Sequence, residues 1–282
     1  MKFKRIGIVY HPLNQSALDI AKQIARELTS VAGDHWLCSA WDGPKLKDKI
    51  AGTELIITTG GDGTILRAAQ AALPLDIPIT SVNLGKLGFM TELSADQALE
   101  MLPRLIAGEG WDDWRTVLEA DYIPHDGRQS QTQNFFAVND VVVARGGIAR
   151  IISVDCHIDK VHYATYNGDG VIVASATGST GYNFAAGGPV MHPQSPDMLL
   201  TPILPHLEQS YTLVVPGDKP VSLNVSTNHQ ATLCIDGHIN IDAATGDVIQ
   251  VRTSHHRLRF LRLSDPDSFY IKTAHKLKGN RN

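Results

Sequence analysis

The sequence lacks the features that would place this chain among secreted or membrane proteins. Its three cysteines, Cys38, Cys156 and Cys234, lie far apart and form no CxxC motif, so a disulfide framework is not expected and a reducing cytoplasm is the simplest compartment. No apolar run approaches the roughly 18–20 residues that span a bilayer. The first apolar run, Ile6–Tyr10, is too short for a signal peptide. We therefore expect a cytoplasmic protein with no membrane partner.

The chain also lacks the basic excess typical of proteins that bind nucleic acid. Its 282 residues include 25 Lys and Arg against 29 Asp and Glu, a net charge of −4 with His counted as neutral. This balance argues against a nucleic-acid partner but leaves room for a local phosphate site. The Walker A pattern and the HExxH zinc motif are both missing from the sequence, so we expect no metal site built by the protein itself.

The spacing of apolar residues along the chain changes near residue 110. Before this point, apolar runs typical of strands alternate with helical spacing, which predicts a parallel sheet covered by helices. The strands are predicted at residues 6–10, 55–59 and 79–83, and the helices from residue 16 and over residues 65–73 and 95–107. Ser94 and Gln97 form a capping box before the last helix. Pro103 is expected to kink or split that helix.

After residue 110, short β-branched runs are separated by Gly, Asp, Asn or Pro, which predicts a β-rich domain. The strands are predicted at residues 116–123, 135–145, 150–158, 171–174, 212–215, 221–225, 231–235, 248–252 and 258–263, with one helix at Ser179–Ala186. The expected fold is α/β plus β. It has an N-terminal α/β domain, residues 1–110, and a β-rich C-terminal domain, residues 111–264.

The turn Thr59–Thr64 is the first candidate site, because it follows a predicted strand and opens a helix. Its glycines let backbone N–H groups approach phosphate oxygens, and a helix N-terminus favours an anion. Asp62 is the informative residue, since a carboxylate in such a turn is unfavourable unless it binds a cation or takes a proton. The alternative is that Asp62 only caps the helix.

Three other segments combine polar residues with glycine or interrupt apolar runs. Residues 167–170 and 177–189 form a second Gly-rich unit, in which Tyr182 offers a face for stacking; the alternative is a turn with a packing helix. The pair Asn139-Asp140 interrupts an apolar strand and needs partners, unless it is a bulge or a strand-end turn. The loop Ser81–Phe89 follows a parallel strand, where open α/β sheets bind ligands, or it is an ordinary connection.

The order of these motifs resembles that of the NAD kinase family, the ATP or polyphosphate NAD kinases, over nearly the whole chain. The matching segments are GlyGlyAspGlyThr at 60–64, AsnLeuGlyLysLeuGlyPhe at 83–89, AsnAsp at 139–140, GlyAspGly at 168–170, ThrGlySerThrGlyTyr at 177–182, GlyGlyPro at 187–189, ThrProIleLeuProHis at 201–206 and AspGlyHis at 236–238. The first motif alone also occurs in lipid kinases and phosphofructokinases, whereas its combination with the later motifs is specific.

The resemblance implies an enzyme that transfers a phosphoryl group from ATP or polyphosphate to the 2′-hydroxyl of the adenosine ribose of NAD, giving NADP. Mg²⁺, or another divalent cation, would arrive with the phosphate donor. The fold it implies has a Rossmann-like nucleotide-binding domain, residues 1–110, and a β-rich NAD-binding domain, residues 111–264. The active site would lie between these domains, and the tail, residues 265–282, would return to the first. Family members are commonly homodimers or homotetramers, which is the assembly that the resemblance implies here.

The resemblance also implies a role for each matched residue. Asp62 would accept the proton of the ribose hydroxyl, while Gly61, Gly63 and Thr64 approach the phosphates. Asp169 would reach the site of a neighbouring subunit. The implied NAD contacts are Asn83, Phe89, Asn139, Asp140, Asp169, Thr180, Gly181, Tyr182 and His238.

The sequence departs from the common family pattern at three positions. Asp140 stands where Glu is frequent, Gly181 where Ala is frequent and His238 where Gln is frequent, and none of these changes removes the proposed base. Two other functions remain open, a lipid kinase of the GGDGT type and a non-catalytic sensor of NAD(P). The lack of a basic amphipathic segment disfavours the lipid kinase, and Asp62 disfavours the sensor, because binding alone gains nothing from that carboxylate.

Overall fold

A computed structural model describes residues 3–31, 33–85, 88–125, 131–148, 150–206 and 211–277 of the chain. These residues divide into two units. The first comprises the chain up to Trp114 together with the residues from Leu258 onward, and the second comprises Arg115–Arg257. None of the described helices is long and apolar enough to cross a membrane.

The first unit alternates strands and helices. Its elements are β1 (Arg5–Tyr10), α1 (Gln15–Val31), β2 (Asp34–Ser39), α2 (Gly43–Lys49), β3 (Leu55–Thr59), α3 (Asp62–Ala72), β4 (Ile79–Asn83), β5 (Leu93–Ser94), α4 (Ala95–Ala107) and α6 (Ser268–Leu277). The strands pair in parallel in the order β2-β1-β3-β4, as the alternating pattern predicts. The strands predicted at 55–59 and 79–83 and the helix predicted at 95–107 are confirmed, including the capping box at Ser94.

Helix α4 is not split at Pro103, so that part of the expectation is wrong. Leu102, Leu105 and Ile106 are buried on either side of the proline in the core of the first unit. Packing of this apolar face holds the helix together although Pro103 removes one backbone hydrogen bond. Strand β2 and helix α2 were not predicted, because both are short and carry several polar residues.

The second unit consists almost entirely of strands. Its elements are β6 (Trp111–Ile123), β7 (Gln133–Ala137), β8 (Asp140–Arg145), β9 (Ile152–Ile158), β10 (Val161–Gly168), β11 (Gly170–Ala174), α5 (Tyr182–Ala185), β12 (Met198–Ile203), β13 (Leu213–Val215), β14 (Val221–Ser226), β15 (Ala231–Ile235), β16 (Ile239–Ala243) and β17 (Val248–Arg262). Of these, β6 begins in the first unit and β17 ends there.

Two antiparallel sheets share one core in the second unit. One sheet has the strand order β13-β12-β11-β8-β15-β16, and the other contains β10-β9-β14-β17. Alternate side chains such as Val143, Val154, Leu200 and Leu223 are fully buried in a single apolar cluster. The predicted β-rich architecture is therefore confirmed.

Three local predictions in this unit need correction. The strand predicted at 135–145 is two strands, because the chain turns at Asn139 between β7 and β8. The helix predicted at 179–186 is a 3₁₀ turn followed by the single turn α5, interrupted at the non-helical Gly181. The strands predicted at 248–252 and 258–263 are one continuous strand, β17, which contains neither Gly nor Pro to end it.

A buried ion cluster in the first unit fixes the segment that precedes β5. The guanidinium of Arg262 donates from Nε to Asp113 Oδ2 at 3.0 Å and from Nη1 to Glu92 Oε2 at 3.2 Å. It also donates to the carbonyl oxygen of Met90 at 2.8 Å. All three charged side chains are at most 4% exposed. Because their charges are out of water, each depends on the others for stabilisation.

We expect Arg262→Met to lower the free energy of unfolding by about 3–5 kcal/mol, since it removes the guanidinium that pairs with the buried carboxylates of Glu92 and Asp113. The matched control is Arg104→Met, which removes the half-exposed ion pair with Glu109 in the same unit and is expected to cost about 0–1 kcal/mol. Chemical denaturation of both variants measures the difference. Equal losses in the two variants would contradict a structural role for the cluster.

Candidate active site

The Gly-rich turn connects strand β3 to helix α3 in the first unit. Helix α3 begins at Asp62, and Gly61 is its N-cap. Gly61 and Gly63 are exposed, and no atom lies within 4 Å of the position that a Cβ would take at either residue. The predicted phosphate residues therefore lie together at an open helix N-terminus, where backbone N–H groups and the helix dipole favour an anion.

The Asp62 side chain is held by backbone donors from a different segment. Its carboxylate oxygens accept hydrogen bonds from the N–H groups of Phe89 at 3.1 Å and Met90 at 3.3 Å. The residue lies inside α3, and no side chain caps that helix, so the capping alternative is not supported. A Cβ at Gly88 would collide with the Asp62 carboxylate. The glycine is thus what allows the two segments to approach so closely.

The loop that holds Asp62 is fixed by further hydrogen bonds within the first unit. The N–H of Gly88 donates to Thr91 Oγ1 and the N–H of Glu92 donates to Ser81 Oγ, each at 2.9 Å. Buried Asn83 donates from Nδ2 to the carbonyl of Gly85 at 2.9 Å. Of the predicted motif at 83–89, residues 86 and 87 lie outside the described residues.

A cleft of about 410 Å³ opens on the second unit. It is lined by Asn139, Asp140, Val142, Ala144, Tyr182, Cys234, Asp236 and Gly237. Three of the predicted NAD-binding residues, Asn139, Asp140 and Tyr182, therefore share one cavity although they come from two separate parts of the sequence. A Cβ at Gly181 would lie 3.7 Å from both Asn139 Nδ2 and Asp140 Oδ2, which places this glycine beside them.

Asp236 organises the mouth of this cleft. It lies in the β15–β16 turn with a left-handed φ of 49°, and its carboxylate accepts hydrogen bonds from the backbone N–H groups of three consecutive residues. These donors are Val138 at 2.9 Å, Asn139 at 2.7 Å and Asp140 at 3.2 Å. The turn between β7 and β8 is therefore built around the Asp236 side chain, a role that the sequence analysis missed.

The Asp236-Gly237 pair carries a recognisable signal that would have located this turn. Asp-Gly between two alternating strands is typical of a tight hairpin, because both residues tolerate a positive φ. His238 closes the same turn, with Nδ1 3.0 Å from the carbonyl oxygen of Asp236. It does not line the cleft.

Asp140 is a buried carboxylate in this cleft. Burial, together with the nearby charge of Asp236, raises its pKa to about 7. Burial also raises the pKa of Asp236, against the opposing effect of its three backbone donors. Among the described residues no hydrogen bond to the Asp140 carboxylate is found. A ligand hydroxyl in the cleft would supply one.

Asp169 and Thr180 lie outside the group that lines the cleft. Asp140 pairs with Ala174 at one end of the β8–β11 ladder, whereas Asp169 precedes Gly170 at the other end. Four residues of strand separate the two ends, roughly 13 Å. Asp169 forms an ion pair with Arg145 Nε at 2.7 Å. Thr180 donates from Oγ1 to the carbonyl of Thr177 at 3.3 Å.

No group of three or more His, Cys, Asp or Glu side chains suited to a metal ion occurs among the described residues. The three cysteines are free thiols, of which Cys38 and Cys156 are buried.

The raised pKa of Asp140 predicts a pH dependence of stability. The folded state binds this proton with a pKa of about 7, whereas the unfolded chain binds it with a pKa of about 3.9. The stability from this group is complete below the lower value and is lost as the pH rises through the higher one. Between about pH 5 and about pH 8 the wild type should therefore lose free energy of unfolding that the Asp140→Asn variant keeps. The expected difference between the two proteins is about 1–3 kcal/mol. Urea titrations across this range measure it, and superimposable pH profiles would contradict the assignment.

The chain is similar to known proteins over nearly its whole length. A model of the ATP-NAD kinase N-terminal domain matches residues 40–110, and a model of the ATP-NAD kinase C-terminal domain matches residues 138–263. A curated NAD kinase of Dehalococcoides mccartyi is 54% identical over 99% of this chain and 97% of its own length. A curated NAD kinase of Chloroflexus aurantiacus is 36% identical over 98% of this chain and 99% of its own length.

Solved structures show the same fold. The crystal structure of yeast NADH kinase complexed with NADH has a TM-score of 0.88 at 21% identity, covering all of this chain and 89% of its own. The structure of an NAD kinase from Archaeoglobus fulgidus in complex with ATP has a TM-score of 0.76 at 25% identity and covers 96% of this chain and 98% of its own. The family models, the full-length identity and the common fold agree with one another, and the chain belongs to the NAD kinase family.

Proposed function

We propose that this protein is an NAD kinase, which transfers a phosphoryl group from ATP or polyphosphate to the 2′-hydroxyl of the adenosine ribose of NAD to make NADP. The observation that carries this proposal is the placement of the Asp62 carboxylate at an open glycine turn, oriented by the N–H groups of Phe89 and Met90. The full-length similarity to curated NAD kinases supports the same reaction.

Asp62 is the proposed general base. As the ribose hydroxyl oxygen forms its bond to the terminal phosphorus, the hydroxyl proton passes to the Asp62 carboxylate and the bond to the bridging oxygen of the donor breaks. Gly61 and Gly63 approach the donor phosphates, because exposed backbone at a helix N-terminus stabilises anions. Thr64, the third residue proposed for the phosphates, is buried, and its N–H donates to the carbonyl of Gly61 at 2.9 Å. A divalent cation such as Mg²⁺ enters with the donor as part of the substrate and screens its charge.

The cleft of the second unit is the proposed subsite for the adenosine part of NAD. Asp140 and Asn139 supply acceptors and donors for ribose hydroxyls, and Tyr182 supplies an aromatic face beside them. The remaining proposed contacts are Asn83, Phe89, Thr180, Gly181 and His238. The proposed functional domains are residues 1–110 with the tail 265–282, and residues 111–264; of the tail, residues 278–282 lie outside the described residues.

The proposed assembly is a homodimer or homotetramer in the cytoplasm. Asp169 lies at the far end of the β8–β11 ladder from Asp140 and does not line its own cleft, which supports a role in the site of a neighbouring copy. The three free cysteines agree with a reducing compartment. Neither the lipid kinase nor the NAD(P) sensor gains support, because the curated relatives are NAD kinases.

Asp62→Asn is expected to lower turnover about 10²–10⁴-fold, because Asn keeps the shape of the side chain but cannot accept the proton. The effect lies toward the low end if the transition state is loose, since less base assistance is then needed. NAD affinity should survive, because the change removes a negative charge near the donor phosphates. A coupled NADPH assay and direct NAD titration measure both quantities.

The matched control for Asp62→Asn is Asp42→Asn in the same unit. Asp42 is the N-cap of α2 and accepts from the N–H of Lys45 at 3.3 Å, and Asn caps helices equally well. Turnover of this control should equal that of the wild type. A folded Asp62→Asn enzyme with near-normal turnover would remove the assignment of Asp62 as the base.

Tyr182→Ala is expected to weaken NAD binding while it leaves binding of the phosphate donor intact. Aromatic stacking on a base contributes about 1–3 kcal/mol in nucleic-acid complexes, so the KM for NAD should rise about 5–150-fold. Tyr211→Ala, which removes another exposed tyrosine of the second unit, is the control. An unchanged KM for NAD in a folded Tyr182→Ala variant would exclude the stacking role.

A further inference from the structure

The C-terminal helix α6 brings two lysines to the loop that holds Asp62. Lys272 Nζ donates to the carbonyl oxygen of Thr91 at 3.3 Å. Lys276, one turn later, places its Nζ 4.0 Å from the centroid of the Phe89 ring. The N–H of the same Phe89 donates to Asp62 Oδ2 at 3.1 Å. An ammonium group therefore lies in the small group of residues that orients the proposed base.

The ammonium of Lys276 lies against an aromatic ring. No ion pair with Lys276 occurs among the described residues. Burial lowers the pKa of its half-buried ammonium, and the charge of Asp62 opposes this effect by raising it. The Asp62 oxygens are meanwhile occupied by two backbone donors. The aromatic face of Phe89 stabilises the ammonium of Lys276. The N–H donors of this ammonium are left for an anion.

Binding of a polyphosphate at the glycine turn requires a nearby positive charge. The turn contains the carboxylate of Asp62, whose negative charge opposes the approach of a polyphosphate. The sequence has no Walker A lysine that would offset this charge locally. Lys276, which α6 places against Phe89, supplies the positive charge that the turn lacks. Its ammonium can donate hydrogen bonds to phosphate oxygens.

We propose that Lys276 is the cation of the phosphate-donor site, where its ammonium binds the terminal phosphate oxygens of the donor beside Asp62. In the reaction it offsets the negative charge carried by the transferring phosphoryl group. Lys272 donates one hydrogen bond to the carbonyl oxygen of Thr91 and does not contact the donor. This inference rests on the proposed kinase function, because it assigns the donor phosphates to the Asp62 turn.

The direct test measures binding without turnover. Inorganic tripolyphosphate and a non-hydrolysable ATP analogue are titrated by calorimetry into the full-length wild type and into Lys276→Met. The dissociation constants for both ligands should rise about tenfold or more in the variant, the effect expected when one hydrogen bond to a charged group is lost. The affinity for NAD should not change. Lys276→Arg, which keeps a cation over the Phe89 ring, should retain most of the donor affinity.

Lys272→Met is the control for undocking of the helix. This variant loses the hydrogen bond to Thr91 but keeps the ammonium at position 276, so its donor affinity should match that of the wild type. Equal loss of donor affinity in Lys272→Met and Lys276→Met, without rescue by Lys276→Arg, would assign the effect to helix docking and overturn the proposal. Wild-type donor affinity in a folded Lys276→Met would also overturn it.

Steady-state kinetics separates this inference from the proposed function. In Lys276→Met, the KM for the donor should rise while the KM for NAD stays constant. If Lys276→Met makes NADP with wild-type constants, the role of Lys276 is wrong and the kinase function stands. If the wild type binds tripolyphosphate through Lys276 but forms no NADP with any donor, the phosphate site stands and the proposed function is wrong.

Discussion

The buried guanidinium of Arg262 is the interaction on which the organisation of the first unit depends. It joins Glu92, Asp113 and the carbonyl of Met90, and the N–H of Met90 in turn donates to Asp62. Charges removed from water are stabilised only when every partner is in place. The cluster therefore holds the end of β17 against the loop that contains Met90. The N–H of Met90 is positioned in this way to donate to the proposed base, Asp62.

The cleft of the second unit contains two carboxylates. Asp140 and Asp236 are both buried and both line this cleft. Burial and the nearby charge of Asp236 raise the pKa of Asp140 to about 7. Burial raises the pKa of Asp236 too, against the opposing effect of its three backbone donors. A buried acceptor that lacks a partner is unfavourable in the free protein and becomes favourable when a ligand hydroxyl binds. The scaffold thus retains a local instability at the place where binding is proposed.

Elements that are specified by local residues agree with the sequence-based predictions. The strands at 55–59 and 79–83 and the capping box at Ser94 depend on neighbouring residues alone. The errors occur where distant residues decide. The strand predicted at 135–145 is divided because Asp236, about a hundred residues later, binds the intervening N–H groups. Helix α4 continues through Pro103 because its apolar face is buried on either side of the proline.

The sequence by itself determined the fold class, the family and the choice of Asp62 as the candidate base, because these depend on residue type and short spacing. Only the tertiary structure decided which groups surround that carboxylate. The N–H groups of Phe89 and Met90 donate to it, Lys276 lies against the Phe89 ring, and Arg262 donates to the carbonyl of Met90. These residues come from segments that are far apart in the chain, and no local pattern marks them as neighbours. Hydrogen bonds and charges act over a few ångströms of space, whereas a sequence records only separation along the chain. Their partners therefore become known only when the chain has folded.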